Sequence, residues 1–83
     1  MPQFVTLRLD TGPEGIAALE MPGATTLEFA ALRFADHLGL DTDGYSFYLL
    51  DRETQQPYAR EGLACEYEGM TFDLGCTKRG DAG

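Results

Sequence analysis

The chain has 83 residues, of which 43% are hydrophobic, and fourteen acidic against six basic residues give it a net charge of −8. This length fits one domain with one core, because domains run from roughly 50 to 250 residues and a chain this short buries only about 60–65% of its unfolded surface. The negative charge disfavours nucleic acid and anionic membranes as partners. We therefore expect protein partners, and any charged partner should be basic.

The chain carries no pattern of a targeting or membrane segment. No basic stretch precedes an apolar run at the N-terminus, and charged residues interrupt the longer apolar segments. We therefore predict neither a signal peptide nor a membrane span, and we expect a cytoplasmic monomer. Cys65 and Cys76 should then be reduced, with Cys65 as a small core residue. One histidine, His37, and no clustered ligands predict no metal site.

Two strands joined by a turn open the chain. Residues 4–10 alternate between apolar and polar side chains, which indicates a half-buried strand, and residues 16–21 resume the alternation. Glycine and proline in residues 11–15 are typical of a turn, so the two segments predict a hairpin. The side chains predicted to face the core are Val5, Leu7, Leu9, Ala17, Leu19 and Met21.

A helix is predicted after Pro22 and Gly23. Residues 25–28 (TTLE) match a capping box, in which a threonine hydroxyl and a glutamate carboxylate accept hydrogen bonds from free N–H groups of the helix start. Gly39 before Leu40 is typical of a helix end, and His37 is expected to be partly exposed in the last turn. The predicted buried stripe consists of Leu27, Ala31, Phe34 and Leu38.

The second half of the chain predicts further strands. Residues 45–50 are aromatic and aliphatic, with Phe47 and Leu49 facing inward. Residues 55–58 predict a short edge strand, because Pro57 cannot donate to a sheet. The last strand is predicted over residues 70–74, with Met70, Phe72 and Leu74 facing inward.

This order of elements predicts an α+β fold, in which a mixed sheet of four or five strands wraps across one helix. We assign residues 1–74 to the domain and residues 75–83 to a flexible tail.

The sequence offers no convergent catalytic set. One histidine, two cysteines and scattered carboxylates do not suggest an acid, base and nucleophile in one pocket. No motif for binding a nucleotide, a phosphate or a metal is present. We therefore predict that the chain is not an enzyme and needs no cofactor.

Three segments resemble ubiquitin and its relatives. They are FVTLRL at 4–9, TTLEFAALRF at 25–34 and YSFYLLD at 45–51, and their order and spacing agree over nearly the whole chain. The resemblance implies a ubiquitin-like β-grasp fold, here in a bacterial relative.

The resemblance also implies a partner-binding face on the sheet. Ubiquitin's exposed isoleucine of the middle strand corresponds to Tyr48. Phe4 and Leu50 are weaker candidates, since each is large and apolar on a face that alternation turns outward. The alternative is that Tyr48 is an ordinary half-exposed strand aromatic that merely covers the sheet.

The C-terminal segment is similar to that of ubiquitin, which closes with Arg-Gly-Gly and whose carboxylate is adenylated and passed to a nucleophile. The corresponding residues here lack a double glycine and are Lys78, Arg79, Gly80, Asp81, Ala82 and Gly83. Three interpretations stay open: a precursor cleaved after Gly80, a modifier that ends at Gly83, or a frayed terminus without a role.

Two functions follow from the resemblance. The first is a small-protein modifier, or its precursor, of a bacterial ubiquitination-like pathway, activated through its tail by an adenylating enzyme and served by a conjugating enzyme or a peptidase. The second is a non-covalent adaptor or subunit of a larger complex that binds through the Tyr48 face. YukD-like secretion accessory proteins and monooxygenase components are examples of the second kind.

Overall fold

The computed structural model describes residues 3–78. Within them the chain forms strands β1 (Phe4–Asp10) and β2 (Ile16–Pro22), helix α1 (Leu27–His37), and strands β3 (Tyr45–Leu50) and β4 (Thr71–Lys78). Two short 3-10 turns cover Gly12–Glu14 and Ala64–Tyr67.

The predicted α+β class is confirmed. The four strands form one mixed sheet in the order β2-β1-β4-β3, and α1 packs on one face of it, in the manner of a β-grasp-like fold. The central pair β1 and β4 is parallel, while β2 and β3 each pair with a central strand in the antiparallel direction. β2 and β3 are therefore the two edge strands.

The core lies between the sheet and α1. Each strand turns alternate side chains toward the helix, because successive residues of a strand point to opposite faces. The hydrophobic stripes predicted for the hairpin, the helix and β3 all face this core. The buried side chains are Val5, Leu7, Leu9, Met21, Leu27, Ala30, Ala31, Phe34, Ala35, Phe47, Leu49, Ala64 and Phe72.

The helix start differs in one detail from the predicted capping box. Thr26 is the N-cap, and its hydroxyl accepts a hydrogen bond from the Phe29 N–H at 3.3 Å. Because the helix begins at Leu27, Glu28 occupies the second helical position and not the third, so the prediction of a capping box was wrong. The N–H groups of Leu27 and Glu28 instead donate to the carbonyls of Gly62 and Arg60, at 2.8 and 3.1 Å.

The predicted glycine end of α1 is confirmed. Gly39 has φ +76°, a conformation that costs other residues energy. The Leu40 N–H donates to the Ala35 carbonyl at 2.9 Å and the Gly39 N–H to the Asp36 carbonyl at 3.0 Å, which is a Schellman motif. His37 is exposed at the last helical position, as expected.

The last strand is longer than predicted. β4 runs over Thr71–Lys78, and its residues 75–78 pair with β3. The last pair of this ladder joins Lys78 to Tyr45. The assignment of residues 75–78 to a tail was therefore wrong, because β3 supplies a hydrogen-bonding partner for a segment whose own pattern is weak. Residues 79–83 of the predicted tail lie outside the described residues.

Three smaller predictions were also wrong. Residues 55–58 form no strand but a bridge from Pro57 to Leu50, because the chain turns at Gln55, which has φ +60°. Met70 precedes β4 and is 39% exposed. Cys65 is exposed, because its neighbour Ala64 takes the buried position in the 3-10 turn.

Candidate functional site

The predicted site residues Tyr48 and Leu50 lie together on the outer face of the sheet, which is the face away from α1. Their neighbours Phe47 and Leu49 are buried against the helix, so strand alternation turns Tyr48 and Leu50 outward. Both are half-buried. This placement agrees with the face predicted for them.

The Tyr48 side chain is held against β4. Tyr48 pairs with Gly75 across the strands, and a Cβ atom at Gly75 would overlap the Tyr48 ring. The Tyr48 hydroxyl also lies 3.3 Å from the Thr77 Oγ1 atom. The ring therefore covers backbone that glycine leaves bare, an arrangement that stabilises glycine in sheets. Tyr48 thus has a structural role in addition to any binding role.

Tyr48 and Leu50 open onto a depression that we call the Tyr48 pocket. Its volume is about 520 Å³, and it is open to solvent. The further lining residues are Gln55, Pro57, Tyr58, Ala59, Arg60, Glu61 and Thr77. Sequence reasoning missed the wall formed by residues 57–61, because the segment is irregular and its position depends on distant contacts.

The pocket wall is anchored at both ends. The Tyr58 N–H donates to the Leu49 carbonyl at 3.0 Å, which ties one end to β3. The Arg60 and Gly62 carbonyls accept hydrogen bonds from the first turn of α1, which ties the other end to the helix. Carbonyls of an irregular loop thus satisfy N–H groups that a helix start leaves without intrahelical partners.

Phe4 is not part of this pocket. It is 56% exposed on the outer face, as alternation predicts, but at the other end of the sheet. Arg8 pairs with Thr71, Phe4 lies four residues before Arg8, and Gly75 lies four residues after Thr71. Phe4 and the Tyr48–Gly75 pair are therefore separated by about 26 Å along the strand direction, at roughly 3.3 Å per residue.

Asp51 is hydrogen-bonded to Tyr58, one of the residues that line the Tyr48 pocket. Asp51 Oδ1 accepts hydrogen bonds from the N–H groups of Glu53 at 2.7 Å and Thr54 at 3.0 Å, and Asp51 Oδ2 accepts one from the Tyr58 hydroxyl at 3.0 Å. These hydrogen bonds lower the pKa of Asp51 below its usual range. The largest effect comes from the Thr54 N–H, followed by the Glu53 N–H and the Tyr58 hydroxyl. Burial, and then the hydrogen bond to Asp51, raises the pKa of Tyr58.

These hydrogen bonds predict an acid-sensitive pocket wall. The folded-state pKa of Asp51 is below the unfolded value, so its stabilising effect is present above about pH 4 and is lost as the pH falls through the folded-state pKa. We expect Asp51→Asn to be less stable than the wild type at neutral pH, and the difference to shrink steadily on acidification. Urea unfolding of both proteins, from neutral pH to below about pH 4, measures this difference in the free energy of unfolding. A difference that stays constant with pH would contradict the role of the Asp51 charge.

The predicted conjugation segment begins beside the Tyr48 pocket. Thr77 lines the pocket, and the exposed Lys78 pairs with Tyr45 at the end of β4. Lys78 is thus placed by the sheet, whereas Arg79, Gly80, Asp81, Ala82 and Gly83 lie outside the described residues.

Residues 3–78 include no group of three or more His, Cys, Asp or Glu side chains that could hold a metal ion. No helix in this part of the chain is long and apolar enough to cross a membrane. No protein-family model and no curated protein matches the chain. The chemistry of the chain must therefore be inferred from its own surface.

Proposed function

We propose that the chain is a ubiquitin-like protein modifier, activated by an adenylating enzyme through the segment that follows Lys78. The observation that supports the proposal most directly is the position of the end of β4. Thr77 lies against Tyr48 and lines the Tyr48 pocket, and Lys78 is the next residue, paired with Tyr45. An enzyme that contacts the chain at Thr77 and Lys78 therefore lies close to the Tyr48 pocket.

The chemistry takes place at a glycine carboxylate. In a modifier that ends at Gly83, or at Gly80 after hydrolysis of the Gly80–Asp81 peptide bond, the proposed reaction begins when the terminal carboxylate attacks the α-phosphorus of ATP. This step forms an acyl adenylate and releases pyrophosphate. A thiolate of the enzyme then displaces AMP, and an amine of the target displaces the thiolate to form an amide. Glycine suits this position because it has no Cβ atom to obstruct a narrow channel.

The chain itself catalyses none of these steps in the proposal. It supplies the carboxylate and a surface that the enzyme recognises, and the activating groups belong to the partner. The Tyr48 pocket suits recognition because its lining combines aromatic and aliphatic side chains with the exposed, charged Arg60 and Glu61. Apolar centres with polar borders are typical of protein interfaces.

The second candidate function is a non-covalent adaptor that uses the same pocket. The pocket favours it independently, because its wall is anchored on both β3 and α1 and so presents a preformed surface. Preformed surfaces lose less conformational entropy on binding. The two functions differ only in the use of the residues after Lys78.

Deletion of residues 79–83 separates the two functions. We expect the tagged full-length chain to form covalent adducts in an ATP-supplemented extract of its source cells, and the deletion variant to form none. Denaturing electrophoresis and mass spectrometry detect the adducts. The deletion removes no residue of the four strands, and circular dichroism of the variant is the control for folding.

Adducts that persist after the deletion would contradict the modifier proposal. The absence of adducts from the full-length chain would do so as well. In that case, an interaction partner that is retained by the deletion variant and lost by Tyr48→Ala would support the adaptor. Tyr48→Phe is the matched control, because it keeps the ring over Gly75.

A further inference from the structure

Residues 51–55, which we call the Asp51 turn, follow directly after β3. The turn is well bonded internally. Asp51 Oδ1 accepts hydrogen bonds from the N–H groups of Glu53 and Thr54, and the Gln55 N–H donates to the Asp51 carbonyl at 2.8 Å. A displacement of the whole turn breaks none of these bonds, so the turn can move as a unit.

Two side chains of the Asp51 turn tie it to the sheet. Arg52 Nη2 lies 2.9 Å from Asp10 Oδ2 in an ion pair, and Gln55 Nε2 donates to Asp73 Oδ2 at 2.6 Å. Asp10 and Asp73 both point to the outer face, because the residue before each of them is buried against α1. The turn is therefore held over the outer face of the sheet.

The two carboxylates that hold the turn are neighbours. Leu9 pairs with Phe72 in the parallel ladder, so the residues that follow them, Asp10 and Asp73, lie side by side on adjacent strands. Like charges at such a distance repel each other. Arg52 neutralises one carboxylate and Gln55 hydrogen-bonds the other, so the closed turn offsets a repulsion that an open turn leaves in place.

The closed turn is held only weakly. The ion pair is open to solvent, with 47% of the Arg52 side chain and 29% of the Asp10 side chain exposed. Salt screens exposed ion pairs of this kind. In addition, Gln55 has φ +60°, a left-handed conformation that favours glycine and costs other residues energy. The turn thus combines a rigid interior with an attachment that salt loosens.

Gln55 lies at the border of two depressions. It lines the Tyr48 pocket, and it also lines a second depression of about 460 Å³ at the end of β1. Leu50 lines the first depression, whereas Leu38 and Leu74 line the second. The position of the Gln55 side chain therefore decides whether the two depressions are separate.

We propose that the Asp51 turn is a salt-sensitive gate between these two depressions. When Arg52 releases Asp10, the turn tilts away from the outer face about the Leu50–Pro57 bridge and carries Gln55 with it. The depressions then join into one trough, in which Leu50 and Leu74 are more accessible. The gate goes beyond the proposed function, because it belongs to the free chain and operates whichever partner uses the Tyr48 pocket.

The side-chain amide of Gln55 reports the state of the gate, and that of Gln56 is an internal control. Gln56 is exposed, and in the part of the chain that the structure describes its side-chain amide makes no hydrogen bond. At low salt we expect the Gln55 amide to exchange hydrogen about fivefold more slowly in NMR, the effect of one hydrogen bond. Sodium chloride at about 0.5 M should narrow this difference, because it screens the ion pair.

Arg52→Ala tests whether the turn moves as a unit. Gln55 Nε2 contacts the carbonyl of Arg52 and not its side chain, so truncation of the side chain acts on Gln55 through the turn. We expect exchange of the Gln55 amide to become about two- to fivefold faster relative to Gln56, the size typical of an exposed ion pair. Arg33→Ala is the matched control, because it removes the same charge from the exposed surface of α1 and should leave the ratio unchanged.

Line broadening of leucine methyl groups by a dissolved nitroxide tests the trough. Arg52→Ala should increase the broadening of Leu50 and Leu74 relative to Leu32, a half-buried leucine of α1. A Gln55-to-Gln56 ratio that neither salt nor Arg52→Ala changes, or that Arg33→Ala changes equally, would overturn the gate. Faster exchange without greater broadening of Leu50 and Leu74 would overturn the joining of the depressions.

Discussion

Replacement of Phe72 by alanine is expected to destabilise the domain by about 3–5 kcal/mol, the usual loss for truncating a buried phenylalanine. Phe72 is fully buried in β4. Its ring meets those of Tyr58 and Tyr67 edge to face, with centroids 5.2 and 6.1 Å away. Phe72 thus joins the core to the segment that forms the wall of the Tyr48 pocket.

A loss of this size is large for a small domain, whose total stability is typically about 5–15 kcal/mol. Urea unfolding followed by circular dichroism measures it. Phe29→Ala is the control, because Phe29 is exposed on α1 and its truncation should change the stability by no more than about 0.5 kcal/mol. A loss below about 1 kcal/mol for Phe72→Ala would mean that the aromatic cluster does not support the core.

The second large effect is expected at Gly75. A Cβ atom there would overlap the Tyr48 ring, so Gly75→Ala should displace the ring and separate the Tyr48 hydroxyl from Thr77. We expect a loss of about 1–3 kcal/mol, the usual cost of overpacking. The φ angle of Gly75 is not positive, so alanine fits the backbone itself.

The sign of this effect should reverse when Tyr48 is absent. In a Tyr48→Ala background the space above Gly75 is free, and Gly75→Ala should then stabilise β4 by about 0.4–1 kcal/mol, because alanine restricts the unfolded chain more than glycine does. A double-mutant cycle of unfolding free energies measures the coupling. Additive effects would show that the ring and the glycine do not depend on each other.

Strand alternation and helix periodicity were sufficient to predict most of the fold. Val5, Leu7 and Leu9 face the core because a strand alternates with a period of two, whatever the strand packs against. The helix end at Gly39 was equally predictable, because the φ of +76° there favours glycine. Such signals lie within a few residues of the feature that they predict.

The candidate site was predictable only in part. Alternation placed Tyr48 and Leu50 outward, but it also placed Phe4 on the same face and carried no information on how far away it lies. That distance depends on the register of β1 against β4, which joins residues far apart in the chain. The wall at residues 57–61 was missed for the same reason, since its bonds run to β3 and to the start of α1.

The sequence by itself thus determined which residues form the hairpin, the helix and the buried faces, because these depend on local periodicity and turn chemistry. The tertiary structure alone decided that residues 75–78 continue β4, that Gly75 lies under the Tyr48 ring, and that β2 and β3 are the edge strands of the sheet. Each of these depends on the partner that a strand finds elsewhere in the chain, and hydrogen bonding between distant strands leaves little trace in either segment alone.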